Sequence, residues 1–251
     1  MRLKNTVLII TGAANGLGAE YSRACVREGA RVLIADLDEV NARQLAAELN
    51  EGQTDTVAVG MRVDVSDPEA AIRMAQTCVE QFGRIDVLVN NAGTYPHKDF
   101  VEITPADWRA VMAVNLDGVF NCCHAVLSTM KQQGAGKIIN VATNLVFIGL
   151  ASMVHYVSAK AGLLGFTRSL AREVGEHGIT VNALAPGAVI PPVETLNADS
   201  IERVEAILHH QCVKWCMRSE DLVGPMLFLC SHESDFISAQ VLTVDGGLTT
   251  H

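Results

Sequence analysis

Short runs rich in β-branched residues alternate along this chain with longer amphipathic stretches, and no other feature restricts its fold more. The runs that predict strands cover residues 6–11, 31–35, 57–63, 87–90, 137–141, 180–185 and 241–244. The stretches that predict helices cover residues 17–28, 40–50, 69–82, 105–115, 119–133, 156–176 and 221–230. Such alternation is typical of βαβ units with right-handed crossovers. The sequence therefore predicts an α/β fold, a doubly wound parallel sheet of about seven strands with helices on both faces.

Composition favours one domain of this kind over residues 1–251. The chain has 251 residues, of which 49% are hydrophobic, so it can bury one large core. Nothing in the sequence marks a domain boundary. The least regular part, residues 188–217, predicts a lid or binding loop.

Charge and cysteine usage narrow the class of protein. The net charge of −9 and the lack of a Lys/Arg-rich block argue against a nucleic-acid partner. The apolar run 7–10 is too short for a signal segment or a membrane span, which predicts a cytoplasmic protein without a membrane partner. The seven cysteines show no C-x-x-C spacing. Adjacent Cys122 and Cys123 are a poor start for a tetrahedral metal site, so buried free thiols are the favoured interpretation and no metal is predicted.

A glycine-rich turn follows the first predicted strand. Residues 11–18 read T-G-A-A-N-G-L-G and lead into the first predicted helix. Glycines let the backbone approach a pyrophosphate, and the helix N-terminus offers N–H groups to it. The spacing G-x-x-x-G-x-G differs from the commoner G-x-G-x-x-G, so an ordinary βα turn is the alternative.

Asp36 ends the second predicted strand. A carboxylate there accepts hydrogen bonds from ribose hydroxyls and repels a 2′-phosphate. No Arg or Lys lies between Gly12 and Gly18 or directly after Asp36 to offset that repulsion. The sequence thus predicts NAD rather than NADP, and the alternative is that Asp36 only forms a turn.

Tyr156 and Lys160 stand four residues apart within a predicted helix, which places them on one face. A nearby cation favours the phenolate and is expected to lower the pKa of Tyr156. A tyrosine tuned in this way can exchange a proton with a substrate hydroxyl. Alone, the pair is weak evidence, because this spacing often arises by chance.

Together these motifs resemble the short-chain dehydrogenase/reductase family over nearly the whole chain. The resemblance rests on residues 11–18, Asp36, Asp64, Val65, residues 90–93, Asn115, Tyr156, Lys160, Pro186, Gly187 and residues 244–247. It implies a Rossmann-type fold and a hydride transfer between the nicotinamide of NAD and a small secondary alcohol or ketone. It also implies a homotetramer, with interfaces at residues 119–133, 156–176 and 241–251.

The resemblance also implies residue roles. The catalytic residues would be Asn115, Thr143, Tyr156 and Lys160. The cofactor would contact Gly12, Asn15, Gly16, Leu17, Gly18, Asp36, Leu37, Asp64, Val65, Asn91, Ala92, Gly93, Tyr156, Lys160, Pro186, Gly187 and Val189. The substrate would contact Tyr95, Thr143, Asn144 and Tyr156. For Asn115, the alternative role is a helix-capping or kink-forming amide.

The chain departs from the family at two positions. Thr143 stands where the family usually has a serine, thirteen residues before Tyr156. Thr143 could replace that serine, Asn144 could share its role, or the chain could bind NAD without catalysis. Pro191 stands near a position where the family often has a threonine that contacts the cofactor, and neither Pro191 nor Pro192 can donate a hydrogen bond. A dehydratase or epimerase on the same fold is a weaker alternative.

Overall fold

The computed structural model describes residues 1–190 and 198–250. Its strands are β1 (Val7–Thr11), β2 (Arg31–Asp36), β3 (Ala58–Arg62), β4 (Val87–Asn90), β5 (Gly136–Val141), β6 (Ile179–Pro186) and β7 (Val241–Val244). Its helices are α1 (Gly16–Arg27), α2 (Glu39–Asn50), α3 (Pro68–Phe82), α4 (Pro105–Met112), α5 (Gly118–Gln133), α6 (Leu145–Ile148), α7 (Val154–Val174), α8 (Ala198–His210) and α9 (Glu220–Cys230).

The strands form one parallel sheet in the order β3-β2-β1-β4-β5-β6-β7. The strand order reverses between β1 and β4, so this edge is the switch point at which doubly wound sheets bind ligands. The prediction of a doubly wound parallel α/β sheet of seven strands is confirmed.

Helices cover both faces of the sheet, as the sequence predicted. On one face α1, α2 and α9 bury side chains such as Tyr21, Leu45 and Met226 against the strands. On the other face α3, α5 and α7 contribute Met74, Met130 and other apolar side chains to a second cluster. Because both faces are covered, β1 and β4 are buried along their whole length, which explains their continuous apolar sequences.

Local signals place the ends of several helices. The Asp67 side chain accepts a hydrogen bond from the Glu69 N–H at the start of α3, and Gly83 ends that helix in the left-handed region with φ 81°. Thr104 and Asp107 form a capping box at the start of α4. Each such cap stabilises its helix by about 1 kcal/mol.

Two predicted segments differ from the structure. The helix predicted at 105–115 ends at Met112, and a π-helical turn at Ala113–Asp117 connects it to α5. The sequence predicted an irregular segment at 188–217, yet α8 occupies Ala198–His210. The α8 sequence is amphipathic and its Val204 is buried, so the irregular prediction was wrong for this part of the segment.

The continuous helical stretch Pro105–Gln133 is the one part of the described chain that is long and apolar enough to cross a membrane. Within this fold, buried residues of α5 such as Val126 and Met130 pack against α3 and the sheet, which accounts for its apolar composition.

The interpretation of Cys122 and Cys123 as buried free thiols is confirmed, and all seven cysteines are free. Cys25, Cys78, Cys122, Cys123 and Cys230 are buried free thiols. Cys212 is exposed and Cys216 is partly exposed. Over residues 1–190 and 198–250 no cluster of three or more His, Cys, Asp or Glu side chains is arranged to hold a metal ion.

The Gly12→Ala substitution is expected to destabilise the fold more than Gly16→Ala does. Both glycines have positive φ, 61° and 54°, but a Cβ at Gly12 would lie 2.7 Å from Ala92 Cα, whereas at Gly16 it would meet nothing within 4 Å. Strain alone costs about 1–2 kcal/mol, and the clash adds about 1–3 kcal/mol at Gly12. Urea unfolding without cofactor measures both losses. Equal losses would show that the turn does not press against β4.

Candidate active site

The C-terminal ends of the central strands open onto one cleft of about 1110 Å³. The cleft is lined by most of the site residues predicted from the sequence: Gly12, Asn15, Gly16, Leu17, Asp36, Leu37, Asp64, Val65, Asn91, Ala92, Gly93, Tyr95, Thr143, Asn144, Tyr156, Lys160, Pro186, Gly187 and Val189. Two predicted residues, Gly18 and Asn115, are not among the residues that line the cleft. Residues far apart in sequence thus converge where the sheet order reverses.

The turn between β1 and α1 fits a bound anion such as a pyrophosphate. A Cβ at Gly18 would lie 2.2 Å from the Gly12 carbonyl oxygen, so only glycine allows this tight turn. Gly16, in contrast, faces open space within the cleft. The Asn15 side chain does not cap α1, and the first turn of the helix has no acidic residue. Its N–H groups are therefore available to an anion.

The end of β4 supports this turn. The Thr11 hydroxyl accepts hydrogen bonds from the N–H groups of Asn91 and Ala92, both at 3.1 Å. The Asn91 amide donates in return to the carbonyls of Thr11 and Gly12, at 3.0 and 2.8 Å. Asn91 therefore fixes the glycine turn from behind as well as lining the cleft.

Asp36 is held at the end of β2 by two backbone contacts. Its Oδ2 accepts from the Ala14 N–H at 2.9 Å, and its Oδ1 accepts from the Asp38 N–H at 3.0 Å. Each oxygen keeps a lone pair for a further donor. The carboxylate thus stabilises the local turn, and the geometry leaves it able to accept from a ligand hydroxyl.

Sequence reasoning missed a cation beside Asp36. Arg62, which is exposed, is the Cα partner of Asp36 across the β2–β3 ladder. Arg62 belongs to β3, so the residues that directly follow Asp36 in the sequence do not reveal it. Only the register of the sheet reveals this pairing.

Asn115 lies in the π-helical turn between α4 and α5 and is buried. Its amide donates to the carbonyls of Thr94 and Val111, at 2.8 and 3.0 Å, and its Oδ1 accepts from the Thr94 N–H at 3.3 Å. These bonds match the kink-stabilising alternative considered from the sequence. A Cβ at Gly93 would lie 2.9 Å from Asn115 Oδ1 and 3.6 Å from Lys160 Nζ, so glycine is needed where these two side chains approach.

Lys160 is buried on α7, about one helical turn after Tyr156. Its Nζ donates to the Val141 carbonyl at 2.7 Å and lies 6.0 Å from the centroid of the Tyr156 ring. Burial lowers the pKa of Lys160 to about 8. The predicted placement of the two side chains on one helix face is therefore observed.

The expected lowering of the Tyr156 pKa is not observed. Burial of the phenol raises its pKa, a hydrogen bond with the Thr143 hydroxyl opposes this, and the neighbouring Tyr95 adds to the rise. The Lys160 Nζ donates to the Val141 carbonyl of β5. The Tyr95 and Tyr156 rings meet edge to face with centroids 6.2 Å apart.

Thr143 and Asn144 follow β5 and have different partners. The Thr143 side chain is buried and acts to lower the pKa of Tyr156, and its hydroxyl accepts from the Leu145 N–H at 3.3 Å. The Asn144 amide instead donates to Asp245 Oδ2 at 3.1 Å. This bond uses one of the two N–H groups of the amide, so the alternative in which Asn144 shares the role of Thr143 stays open.

Asp245 was missed as a structural anchor, although its motif was noted in the sequence. Its carboxylate accepts from the N–H groups of Gly247, Leu248 and Thr249 and from the Thr249 hydroxyl, besides the Asn144 amide. Asp245 thereby ties the segment after β5 to the C-terminal segment, which brings Leu248 to the cleft.

The segment after β6 completes this side of the cleft. The Gly187 N–H donates to the Val244 carbonyl at 2.8 Å, and a Cβ at Gly187 would lie 2.8 Å from Asp245 Cβ. The Ile190 N–H donates to the Met217 carbonyl at 3.0 Å, which connects the two ends of the predicted lid. Pro191 and Pro192 lie outside the described residues.

Several other lining residues were not identified from the sequence, because the fold brings them in from distant elements. Ala110 and Val114 come from α4 and the π turn, and Ile207 comes from α8. Their sequence pattern is that of an ordinary buried helix face, so no local signal marks them.

Comparison with known proteins agrees with this architecture. Residues 12–249 match the family model described as enoyl-(acyl carrier protein) reductase. The chain is 36% identical over 250 residues to the (2S)-[(R)-hydroxy(phenyl)methyl]succinyl-CoA dehydrogenase subunit BbsD of Thauera aromatica, covering 98% of each chain. It is 34% identical over 250 residues to the 3-oxoacyl-[acyl-carrier-protein] reductase FabG of Thermotoga maritima, covering 99% of each.

A solved structure shows the same fold. A short-chain dehydrogenase/reductase from Brucella melitensis, titled SDR:Glucose/ribitol dehydrogenase, superposes with a TM-score of 0.88 at 27% identity, covering 100% of this chain and 99% of its own. Sequence match, fold and cleft geometry together show that the chain belongs to the short-chain dehydrogenase/reductase family of Rossmann-type, nucleotide-binding oxidoreductases.

Proposed function

We propose that this protein is a NAD-dependent dehydrogenase or ketone reductase that interconverts a secondary alcohol and its ketone, with Tyr156 as general acid/base. The observation that carries the proposal is the meeting of three groups in one cleft. The Thr143 hydroxyl, which acts to lower the pKa of Tyr156, lines the same cleft as the phenol, and the Lys160 Nζ lies 6.0 Å from the centroid of the Tyr156 ring. The names of both relatives, a dehydrogenase subunit and a reductase, support this reaction class.

The cleft has the donors and the space that a dinucleotide requires. The cofactor would be held by Gly12, Asn15, Gly16, Leu17, Gly18, Asp36, Leu37, Asp64, Val65, Asn91, Ala92, Gly93, Tyr156, Lys160, Pro186, Gly187 and Val189. The glycine turn and the N-terminus of α1 would bind the pyrophosphate. Asp36 would accept from the ribose hydroxyls, which favours NAD over NADP. The bound nicotinamide would supply the hydride acceptor or donor.

The protein's own groups would handle the proton. During oxidation the Tyr156 phenolate would accept the proton of the substrate hydroxyl, while Thr143 would donate a hydrogen bond to the same oxygen. During reduction the protonated phenol would return that proton. Because burial raises the pKa of Tyr156, the protonated form prevails at neutral pH, which favours reduction there and oxidation at higher pH.

Lys160 and Asn115 would act on Tyr156 indirectly. A buried ammonium favours the phenolate by charge, and Lys160 would also bind the nicotinamide ribose. Asn115 would hold the loop at Thr94 and, through a water molecule, connect Lys160 to solvent. The hydrogen bonds that fix Asn115 to Thr94 and Val111 support a rigid placement.

We also propose that residues 1–251 form a single domain that works in the cytoplasm as a homotetramer. One interface would use residues 119–133 and 156–176, and another residues 241–251. The exposed Phe120 on α5, with 55% of its surface accessible, supports an apolar contact at the first interface.

Tyr156→Phe is expected to abolish turnover while leaving NADH binding nearly intact, since only the exchangeable proton is lost. Thr143→Ser should keep activity as the matched control, whereas Thr143→Ala should lower kcat by about 10²–10⁴-fold. Absorbance at the NADH band, with a panel of secondary alcohols and ketones and each cofactor, measures turnover. Unchanged turnover in Tyr156→Phe would exclude the mechanism. Binding of NADH by the parent protein without turnover of any substrate would support a non-catalytic protein instead.

Lys160→Met is expected to change how stability depends on pH. Burial lowers the pKa of Lys160 from 10.5 to about 8, so at lower pH the folded state holds a buried charge that the unfolded chain keeps in water. This penalty is relieved as the pH rises from 8 to 10.5, because the folded protein loses its proton first. The parent should therefore gain on the order of 3 kcal/mol relative to Lys160→Met over that range.

Urea unfolding of the cofactor-free protein at several pH values measures this gain. Lys4→Met, which alters an exposed lysine, is the control and should follow the parent. A constant difference between the parent and Lys160→Met would show that Lys160 carries the same charge in both states.

Asp36→Ala is expected to reduce the preference for NAD over NADP, because the repulsion of a 2′-phosphate is removed. The ratio of kcat/KM for the two cofactors measures the preference. In the Asp36→Ala background, Arg62→Leu should then lower kcat/KM for NADP if Arg62 provides the compensating cation. An unchanged ratio in Asp36→Ala would show that Asp36 does not contact the ribose.

A further inference from the structure

The part of the cleft around Tyr156 is lined by apolar side chains from separate segments. These are Tyr95, Ile148, Leu150, Met153, Ile207 and Leu248. They come from the loop after β4, the segment between Thr143 and Tyr156, α8 and the C-terminal segment. Because these side chains come from several elements, the apolar lining of the cleft arises from the way the elements pack together.

Some of these side chains are largely accessible to water. Tyr95 is 67% exposed, Ile148 52% and Leu150 47%. Large apolar side chains grouped around a cleft mark a binding surface. A ligand with an apolar surface would cover them and gain free energy from the area removed from water.

Charged partners for an ionic substrate are scarce. Of the described residues that line the cleft, only Asp36, Asp64 and Lys160 are of a charged type. The two acids follow β2 and β3 at the end assigned to the adenosine. Lys160 is buried and donates to the Val141 carbonyl. The described lining therefore offers no free cation for a carboxylate or phosphate.

The polar side chains that line the cleft beside Tyr156 are few and partly engaged. One N–H of the Asn144 amide donates to Asp245, and the Asn91 amide donates to Thr11 and Gly12. The Thr143 and Tyr156 hydroxyls are needed for the reacting oxygen. A polyhydroxylated substrate would place further hydroxyls against carbon, and each unpaired hydroxyl opposes binding.

We propose, building on the function above, that the substrate is a neutral secondary alcohol or ketone whose remaining part is bulky and apolar. The apolar group would lie against Ile148, Leu150 and Leu248, while the reacting oxygen would face Thr143 and Tyr156. Sugars and carboxylates are poor fits for the same cleft.

Matched six-membered rings test this substrate class. 4-Isopropylcyclohexanol and 4-hydroxycyclohexanecarboxylate have nearly the same shape and differ in charge, and myo-inositol is the polyhydroxylated ring. With NAD in excess, kcat/KM should be at least about 10²-fold higher for the isopropyl compound. In a 4-alkyl series it should rise roughly three- to fivefold for each methylene until the cleft is filled. Equal or faster oxidation of the carboxylate or of inositol would overturn the proposal.

A charge placed in the cleft should change this preference. Ile148→Lys should raise kcat/KM for the carboxylate relative to the isopropyl compound by at least about tenfold, because a cation then faces the carboxylate. Val40→Lys is the matched control, since Val40 is 76% exposed on α2 and does not line the cleft. The same change in both variants would mean that overall charge, and not the cleft lining, sets the preference.

A binding measurement separates this proposal from the proposed function. Calorimetry on the Tyr156→Phe variant with NADH compares 4-isopropylcyclohexanone with 4-oxocyclohexanecarboxylate. Tighter binding of the apolar ketone supports the substrate class even if the parent turns over neither compound, a result that would count against the catalytic proposal alone. Tighter binding of the carboxylate, together with its turnover, would support catalysis and overturn the substrate class.

Discussion

The site depends on the close contact between the β1–α1 turn and the end of β4. Gly12 allows that contact because any Cβ would reach Ala92 Cα at 2.7 Å. Thr11 and Asn91 then exchange hydrogen bonds across the same gap. Backbone groups at the switch point are thereby satisfied within the protein, and Gly16 is left facing the cleft. Without this contact, the first helix would not present its N–H groups to a ligand.

Burial rather than ion pairing sets the electrostatics around Tyr156. The same burial raises the pKa of the phenol and lowers that of the lysine, so both groups favour their neutral forms. The Thr143 hydroxyl is the one described partner that acts in the opposite direction on Tyr156. The surroundings of Tyr156 therefore oppose charge on the phenol and on the amine alike.

Much of the fold could be predicted from periodicity. Buried parallel strands need continuous apolar runs, and residues 7–11 and 87–90 show them directly. Helix α8 was missed although its sequence is amphipathic, because Pro191 and Pro192 favoured an irregular interpretation of the whole segment 188–217. A kink at Asn115 was considered from the sequence only as an alternative, because its hydrogen bonds to Thr94 depend on a loop 21 residues earlier in the chain.

The sequence by itself determined the order of strands and helices, the glycine turn, and the presence of a phenol and an amine on one helix face. These features follow from the spacing of residues along the chain and from the conformational freedom of glycine. Both depend only on residues that are close together in the sequence. Only the tertiary structure decided the cross-strand pairing of Arg62 with Asp36, the bond between Asn144 and Asp245, and the apolar lining from Ile207 and Leu248. Each of these depends on distances between segments far apart in sequence, and such distances arise only when the sheet and its helices pack together.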